Sequence, residues 1–140
     1  MVTVILVGVD GTDSSRLAAR RAAELAVRLG AELHVLSAVE QATVEEFPDR
    51  PGASQLTSGE LAETIAAEVA QDLRSVVPNV TSRPLHGKPA TALVDEAIRL
   101  DASLIVVGNR RVQGVGRLLG SVASSVAAHA PCDVYIVKTV

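Results

Sequence analysis

The feature that most constrains this chain is a set of short apolar runs that alternate with amphipathic segments. Thr3 to Val9 and Ser103 to Val107 are almost continuously apolar, a pattern typical of strands buried on both faces of a parallel sheet. Shorter or more polar runs predict three further strands at Leu33 to Val39, Val80 to Leu85 and Asp133 to Val137. Because a strand buried on both faces needs helices above and below it, the runs predict an α/β fold.

The segments between these runs predict four helices, the last from Ser121 to Ala130. Asp13 or Ser14 is the expected cap of the first helix. The residues expected to face the sheet recur every three or four positions: Ala18, Ala22, Leu25 and Leu29 in the first helix, Leu61, Ile65, Val69, Leu73 and Val76 in the second, and Leu93, Val94, Ala97 and Ile98 in the third. Five strands alternating with four helices predict a five-stranded parallel open sheet, Rossmann-like, with helices on both faces. We expect residues 1–140 to form one domain.

The composition supports this fold and excludes several functions. Hydrophobic residues make up 48% of the chain, whose net charge is −3; the first value suffices for a core, and the second argues against nucleic-acid binding. A single cysteine, Cys132, fits a reducing compartment. No apolar run reaches the length of a membrane span. We therefore expect a soluble, cytoplasmic protein without nucleic-acid or membrane partners.

A ligand site is expected where the first and fourth strands end. Open parallel sheets bind ligands at the carboxyl ends of their strands, at the point where the strand order reverses. The first strand runs into Val9-Asp10-Gly11 and the fourth into Gly108-Asn109-Arg110-Arg111. These two strands are the most hydrophobic, so we expect them to be central neighbours whose chains leave in opposite directions and open a crevice.

The segment from Gly108 to Ser121 carries the chemistry expected of a phosphate site. Glycines let backbone N–H groups approach a ligand, and the N-terminus of a helix beginning at Gly120-Ser121 favours an anion. The segment contains Gly108, Gly114, Gly116 and Gly120, with Arg110, Arg111 and Arg117 adding positive charge. The alternative is a glycine-rich turn that only connects strand to helix. No P-loop motif is present, and the match to a dinucleotide fingerprint is weak.

Asp10 is the second candidate at the same edge. A carboxylate at the end of a central strand can hold a ribose hydroxyl, or a metal ion bound to phosphates. The alternative is an ordinary helix-capping turn, a common use of Asp before Gly-Thr-Asp-Ser. Three histidines, His34, His86 and His129, are too far apart in the sequence to form a spacing-based metal motif.

Three segments together resemble the universal stress protein family. They are Ile5-Leu6-Val7-Gly8-Val9-Asp10-Gly11-Thr12-Asp13-Ser14-Ser15, then Gly108-Asn109-Arg110-Arg111 with Gly120-Ser121-Val122, and His129-Ala130-Pro131-Cys132-Asp133-Val134-Tyr135-Ile136-Val137. The ATP-binding branch of that family carries G-x2-G-x9-G-[ST]. Gly108, Gly120 and Ser121 match it, whereas Arg111 stands at the middle glycine and the spacer, Val112 to Leu119, is one residue short.

The resemblance implies a set of ligand contacts. Val9 would line an adenine pocket, Val107 would pack on the base, and the backbone of Ala38 would meet the adenine edge. Asp10 would contact ribose or metal-bound phosphate. Val122 would offer an N–H to phosphate beside Gly120 and Ser121. The residues of the segment themselves add Arg110, Arg111 and Gly114 as phosphate contacts. The resemblance also implies a homodimer that pairs its last strands, Val134 to Val137.

The hypothesis from these residues is an ATP-binding sensor or regulator in a stress response, with Mg²⁺ at Asp10 and AMP or cAMP as variant ligands. No residue is predicted to be catalytic, although slow hydrolysis of bound ATP would need only a metal ion and a positioned water. Arg111 and the short spacer favour an alternative, a nucleotide-free dimerisation protein of the same fold. An adenylyl-transferring enzyme would need a histidine motif that Asp10-Gly11-Thr12-Asp13 does not supply.

Overall fold

The computed structural model describes residues 2–39, 58–109 and 120–139. Within them the predicted strands and helices occur in the predicted order, with several ends moved by one residue. The strands are β1 (Val4–Gly8), β2 (Glu32–Val39), β3 (Val80–His86), β4 (Leu104–Gly108) and β5 (Asp133–Val137), and the helices are α1 (Asp13–Leu29), α2 (Ser58–Leu73), α3 (Pro89–Leu100) and α4 (Ser121–His129).

The five strands form one parallel sheet in the order β3-β2-β1-β4-β5. The chain moves outward from β1 through β2 to β3, then returns across the sheet to β4 on the other side of β1. The first and fourth strands are therefore central neighbours, as their hydrophobicity predicts. Their junction is the point where the strand order reverses, which we call the switch point.

Helices cover both faces of the sheet, and each face has its own core. One core joins α1 and α2 to side chains that include Ile5, Val7 and Leu33. The other joins α3 and α4 to side chains that include Leu6 and Leu36. Because β1 is followed by a helix on one face and β4 by a helix on the other, the two chains diverge at the switch point.

Alanines form much of the contact between α1 and the sheet. Ala18, Ala19, Ala22, Ala23 and Ala26 are all at most 1% exposed. These small side chains let the helix lie close to the β-branched residues of the sheet, where dispersion contacts are dense.

The predicted helix faces were wrong at four positions. Leu29, Leu61 and Ile98 lie at the surface, between 41% and 62% exposed, and Val76, 48% exposed, lies beyond the end of α2. The prediction followed the larger apolar residues, whereas alanines beside them on the helix surface form much of the buried stripe.

No helix within the described ranges combines the length and apolarity that crossing a membrane requires.

Candidate functional site

The ends of β1, β2 and β4 meet at one edge of the sheet, which we call the carboxyl edge. Pairing continues beyond the strands, because the Val9 N–H donates to the Leu36 carbonyl at 2.9 Å and the Asn109 N–H to the Val137 carbonyl at 2.9 Å. The predicted site residues that the structure describes lie at the strand ends or at the start of α4: Val9, Asp10, Ala38, Val107, Gly108, Gly120, Ser121 and Val122. Arg110, Arg111 and Gly114 lie outside the described residues.

Two of the predicted contacts, Val9 and Val107, are core residues. Their side chains are buried, Val9 in the core under α1 and α2 and Val107 in the core under α3 and α4. Ala38 is half-buried and packs against the second core. Little of either valine side chain is therefore exposed to a ligand, and backbone atoms are the groups that these positions offer.

The turn after β1 is closed by its own side chains. The Asp10 carboxylate accepts hydrogen bonds from the Thr12 N–H at 3.0 Å and the Thr12 hydroxyl at 2.6 Å. The Asp10 N–H donates to Ser15 Oγ at 3.2 Å, and Ser15 Oγ donates to the Thr12 carbonyl at 2.9 Å. Asp10 nevertheless remains exposed. The turn thus fixes the position of a carboxylate at the end of a central strand and leaves it accessible to solvent.

Thr12 caps α1, so the prediction of Asp13 or Ser14 as the cap was wrong. Thr12 has extended backbone angles, and its hydroxyl oxygen accepts a hydrogen bond from the Ser15 N–H at 3.2 Å. Gly11, with φ of 87°, supplies the left-handed residue before it. The sequence offers four adjacent polar residues, and the bond from Thr12 to Asp10 selects Thr12 as the cap.

The start of α4 differs from that of α1, because its cap has no side chain. Gly120 is the N-cap, with φ of −60° and ψ of 157°, and its carbonyl accepts the Ser124 N–H at 3.0 Å. Ser121 at the first helical position is exposed, and the first turn of α4 carries no acidic residue. The first N–H groups of a helix lack intrahelical acceptors, and the helix dipole makes that end positive. This end of α4 is therefore suited to an anion.

A second polar network at the carboxyl edge was missed by the sequence analysis. It joins Ser14 in the first turn of α1, Asn109 just after β4, and Thr139 two residues after β5. A Cβ added to Gly108 would lie 3.4 Å from Ser14 Oγ and 3.4 Å from Thr139 Cγ2. These residues are far apart in the sequence and follow no local pattern, so no sequence signal connects them.

The histidines do not meet at the carboxyl edge. His34 Nδ1 pairs with Thr81 Oγ1 at 3.1 Å, and burial lowers the pKa of His34 although Glu32 opposes the shift. His129 Nδ1 pairs with the Ser125 carbonyl at 2.9 Å. His86 ends β3, two strands from β1. Among residues 2–39, 58–109 and 120–139, no three His, Cys, Asp or Glu side chains form a group that could hold a metal ion.

A shallow groove between α1 and α2 is a further concave feature among the described residues. Arg16 lies in it and pairs with Asp72 at 3.3 Å and Glu68 at 3.6 Å. The charged groups of the groove are thus paired with one another, and exposed ion pairs of this kind contribute little to stability.

An open parallel α/β sheet with a divergent central junction defines a large class of ligand-binding folds, and the sequence narrows the class. A sequence model of the universal stress protein family matches residues 1–138. A universal stress protein of Thermus aquaticus is 38% identical over 141 residues, covering 99% of this chain and 100% of the relative. A universal stress protein of Mycobacterium tuberculosis is 36% identical over 144 residues, covering 96% and 95%. The chain belongs to the universal stress protein family.

Solved structures extend the similarity to the fold. A universal stress protein crystallised in complex with cAMP superimposes with a TM-score of 0.77 at 31% identity, covering 99% of this chain and 98% of that one. The universal stress protein of Archaeoglobus fulgidus in complex with dAMP gives a TM-score of 0.73 at 25% identity, covering 99% and 100%. Both proteins were thus solved with an adenine nucleotide.

Proposed function

We propose that this protein binds an adenine nucleotide at the carboxyl edge, across the switch point between β1 and β4, and acts as a nucleotide-dependent regulator in a stress response. The observation that carries the proposal is the pair of helix starts that follow the central strands β1 and β4 in the chain. One presents a fixed carboxylate at Asp10, and the other presents a helix N-terminus whose cap, Gly120, has no side chain.

The start of α4 is the proposed phosphate position. Gly120 supplies no carboxylate or hydroxyl to the first turn of α4, so we infer that a bound ligand is the acceptor of its N–H groups. A phosphate oxygen suits this position because it is a strong acceptor and carries the negative charge that the helix dipole favours. Ser121, exposed at the first helical position, adds a hydroxyl donor.

Asp10 is the proposed metal or ribose contact. Its carboxylate is exposed and held by Thr12 at the end of β1. Mg²⁺ is commonly held by one or two carboxylates together with the phosphates of its substrate. A single fixed carboxylate therefore fits Mg²⁺ that arrives with ATP, and the ion would supply charge neutralisation between Asp10 and the phosphates.

ATP, with AMP and cAMP as alternatives, is the proposed ligand. Two structural relatives were solved with cAMP and dAMP, which supports an adenine nucleoside phosphate over other anions. The Arg110, Arg111 and Gly114 positions that the sequence adds to the site are proposed as further phosphate contacts.

The test is to denature the purified protein and identify the small molecules that it releases by mass spectrometry. We expect AMP or ATP in a fixed ratio to protein, and calorimetric titration of the emptied protein should then give one site for ATP with Mg²⁺. An empty protein that shows neither binding heat nor a thermal shift with ATP, AMP or cAMP would overturn the proposal.

A second candidate function is dimerisation without nucleotide, and the position of β5 favours it. Among the described residues β5 pairs only with β4 and forms an edge of the sheet. Val134, Tyr135 and Ile136 on this strand are partly exposed, and apolar edges of this kind tend to pair. Sedimentation of the wild type and of Val134→Lys tests this: a dimer that becomes a monomer supports pairing through β5, and a monomeric wild type excludes it.

A further inference from the structure

We propose that Asn109, Thr139 and Ser14 form a positioning network that sets the spacing between the two walls of the nucleotide site. This inference rests on the proposed function, because the walls in question are the turn that carries Asp10 and the end of β4. It assigns a role to three side chains that are not themselves predicted to contact the nucleotide.

The network has one consistent direction of hydrogen bonding. The Thr139 N–H donates to Asn109 Oδ1 at 2.7 Å, and the Thr139 hydroxyl donates to the same oxygen at 3.0 Å. An N–H group can only donate, so the atom of Asn109 that faces Thr139 must be its oxygen. Since the one hydroxyl proton of Thr139 is used in this way, its oxygen accepts from the Ser14 hydroxyl with which it is paired.

Three separate chain segments are joined by these bonds. Ser14 belongs to the first turn of α1, and its neighbour Ser15 accepts the Asp10 N–H. At the other end, Asn109 directly follows Gly108, the last residue of β4. A continuous path of polar contacts and short chain segments therefore runs from the Asp10 turn, through Thr139, to the end of β4.

The network lies on the α1 side of β4, away from the helix that is proposed to hold phosphate. The position of a Cβ on Gly108 would be in contact with Ser14 and Thr139, whereas α4 packs on the opposite face of the sheet. All three side chains are half-buried, and their hydrogen bonds among the described residues are to one another and to the Thr139 backbone. This placement assigns them to positioning, since their polar atoms are directed at each other.

Loss of the network should let the two walls move apart without unfolding the core. The cores on both faces contain none of the three residues, so the fold keeps its main source of stability. A ligand that contacts both walls depends on their spacing, because small displacements weaken charge-assisted hydrogen bonds strongly.

The test uses the full chain and one residue with two substitutions. Thr139→Val keeps the shape and removes the hydroxyl, whereas Thr139→Ser keeps the hydroxyl and removes a methyl group. Calorimetric titration with AMP should give an affinity about fivefold to tenfold weaker for Thr139→Val, the range expected for a lost hydrogen bond, and near the wild-type value for Thr139→Ser. Asn109→Ala should match Thr139→Val, and the double variant should lose little more than either single variant.

The matched control is Thr81→Val on β3, away from the switch point. It is the same substitution, at a hydroxyl that pairs with His34 of β2. We expect it to bind AMP as the wild type does. In the free protein, amide hydrogen exchange of Thr139 should be slow and should become about tenfold faster in Asn109→Ala, because a hydrogen bond of the amide is lost.

The outcomes separate the two proposals. If the wild type binds AMP and Thr139→Val binds it equally well, the positioning role is overturned and the proposed function stands. Equal losses in Thr139→Val and Thr81→Val, or a loss in Thr139→Ser as large as in Thr139→Val, also overturn it. If the wild type binds no adenine nucleotide, with or without Mg²⁺, both proposals are overturned.

Discussion

The starts of α1 and α4 differ in how their first N–H groups are capped. Each helix follows a central strand in the chain, and each begins with N–H groups that lack intrahelical acceptors. In the turn before α1, Thr12 accepts one of these groups and Asp10 holds Thr12 in place. At the start of α4, the cap is Gly120, which has no side chain to accept a hydrogen bond.

The difference suggests which helix start is structural and which is available to a ligand. The start of α1 has its cap supplied by the chain itself, and the group that it leaves accessible is the Asp10 carboxylate. The second has positive polarity and no side-chain cap. Under the proposed function, a nucleotide with bound Mg²⁺ would present phosphate to the start of α4 and the cation to Asp10.

The largest expected effect comes from giving α4 the kind of cap that α1 has. Gly120→Asp places a carboxylate where phosphate is proposed to bind, and charged hydrogen bonds of this type correspond to a loss of about 100-fold in nucleotide affinity. Aspartate is a good N-cap, and the backbone angles of Gly120 are allowed for any residue. Titration with AMP and ATP measures the effect, with Gly120→Ala as the control for added bulk. Equal affinities of the two variants would contradict the assignment of α4 as the phosphate site.

The next effect concerns the carboxylate on the other side. Asp10→Asn keeps an acceptor for Thr12 but removes the charge, so affinity for ATP with Mg²⁺ should fall about tenfold while affinity for metal-free AMP changes little. The control is Asp13→Asn, at an exposed acid in the first turn of α1. A loss that is the same with and without Mg²⁺ would assign Asp10 to the ribose instead of the metal.

A smaller effect is expected on stability. Thr12→Ala removes the cap of α1 and the hydroxyl bond to Asp10, which should lower the free energy of unfolding by about 1 kcal/mol. Chemical denaturation measures this, and Thr91→Ala on the exposed surface of α3 is the control. An unchanged free energy in Thr12→Ala would mean that the turn is not held by its side chains.

The smallest effect is expected at an ion-pair network on α3. This network lies away from the starts of α1 and α4 and serves as a reference for the variants made there. Glu96 on α3 is buried and pairs with Arg99 at 2.7 Å and Arg83 at 2.7 Å. The hydrogen bond from Arg99, which outweighs the cost of burial, lowers the pKa of Glu96 below its ordinary value of 4.5. A carboxyl with a lowered pKa contributes stability above its unfolded pKa and loses it as the pH falls through the folded pKa.

The variant that tests this reference is Glu96→Gln. It should reduce the stability at pH 7 by less than about 1 kcal/mol, because both arginines are half exposed, and should flatten the loss of stability below pH 4.5. Denaturation at pH 7 and at acid pH measures both changes, with the exposed Glu63→Gln as the control. The nucleotide affinity of Glu96→Gln at pH 7 should equal that of the wild type. A loss of affinity would mean that the nucleotide site is not confined to the starts of α1 and α4.

Much of the fold follows from local pattern, and the reason is physical. A strand buried on both faces must be apolar on both faces. The unbroken apolar runs Ile5 to Val7 and Ile105 to Val107 therefore predict that β1 and β4 are central. Helix faces were harder, because alanine is small enough to be buried or exposed with little energetic difference. The prediction therefore relied on larger residues such as Ile98, which the structure places at the surface.

The candidate site was predictable only in part. Asp10 and Gly120 could be proposed from the sequence because the structure, like the prediction, has one at the end of a strand and the other at the start of a helix. The bonds among Ser14, Asn109 and Thr139 depend on how three distant segments meet in the sheet. Such a network has no local signature, so only the tertiary structure reveals it.

The central claim is that an adenine nucleotide binds between the turn of Asp10 and the start of α4. The most direct test is to titrate the isotope-labelled protein with AMP and follow its backbone amide signals by nuclear magnetic resonance. We predict that the amides of Asp10, Gly108, Ser121 and Val122 shift together with one dissociation constant, while those of Gly30 and Asn79, at the opposite ends of the strands, stay unchanged. Shifts at those opposite ends alone, or no shifts with any adenine nucleotide, would contradict the claim.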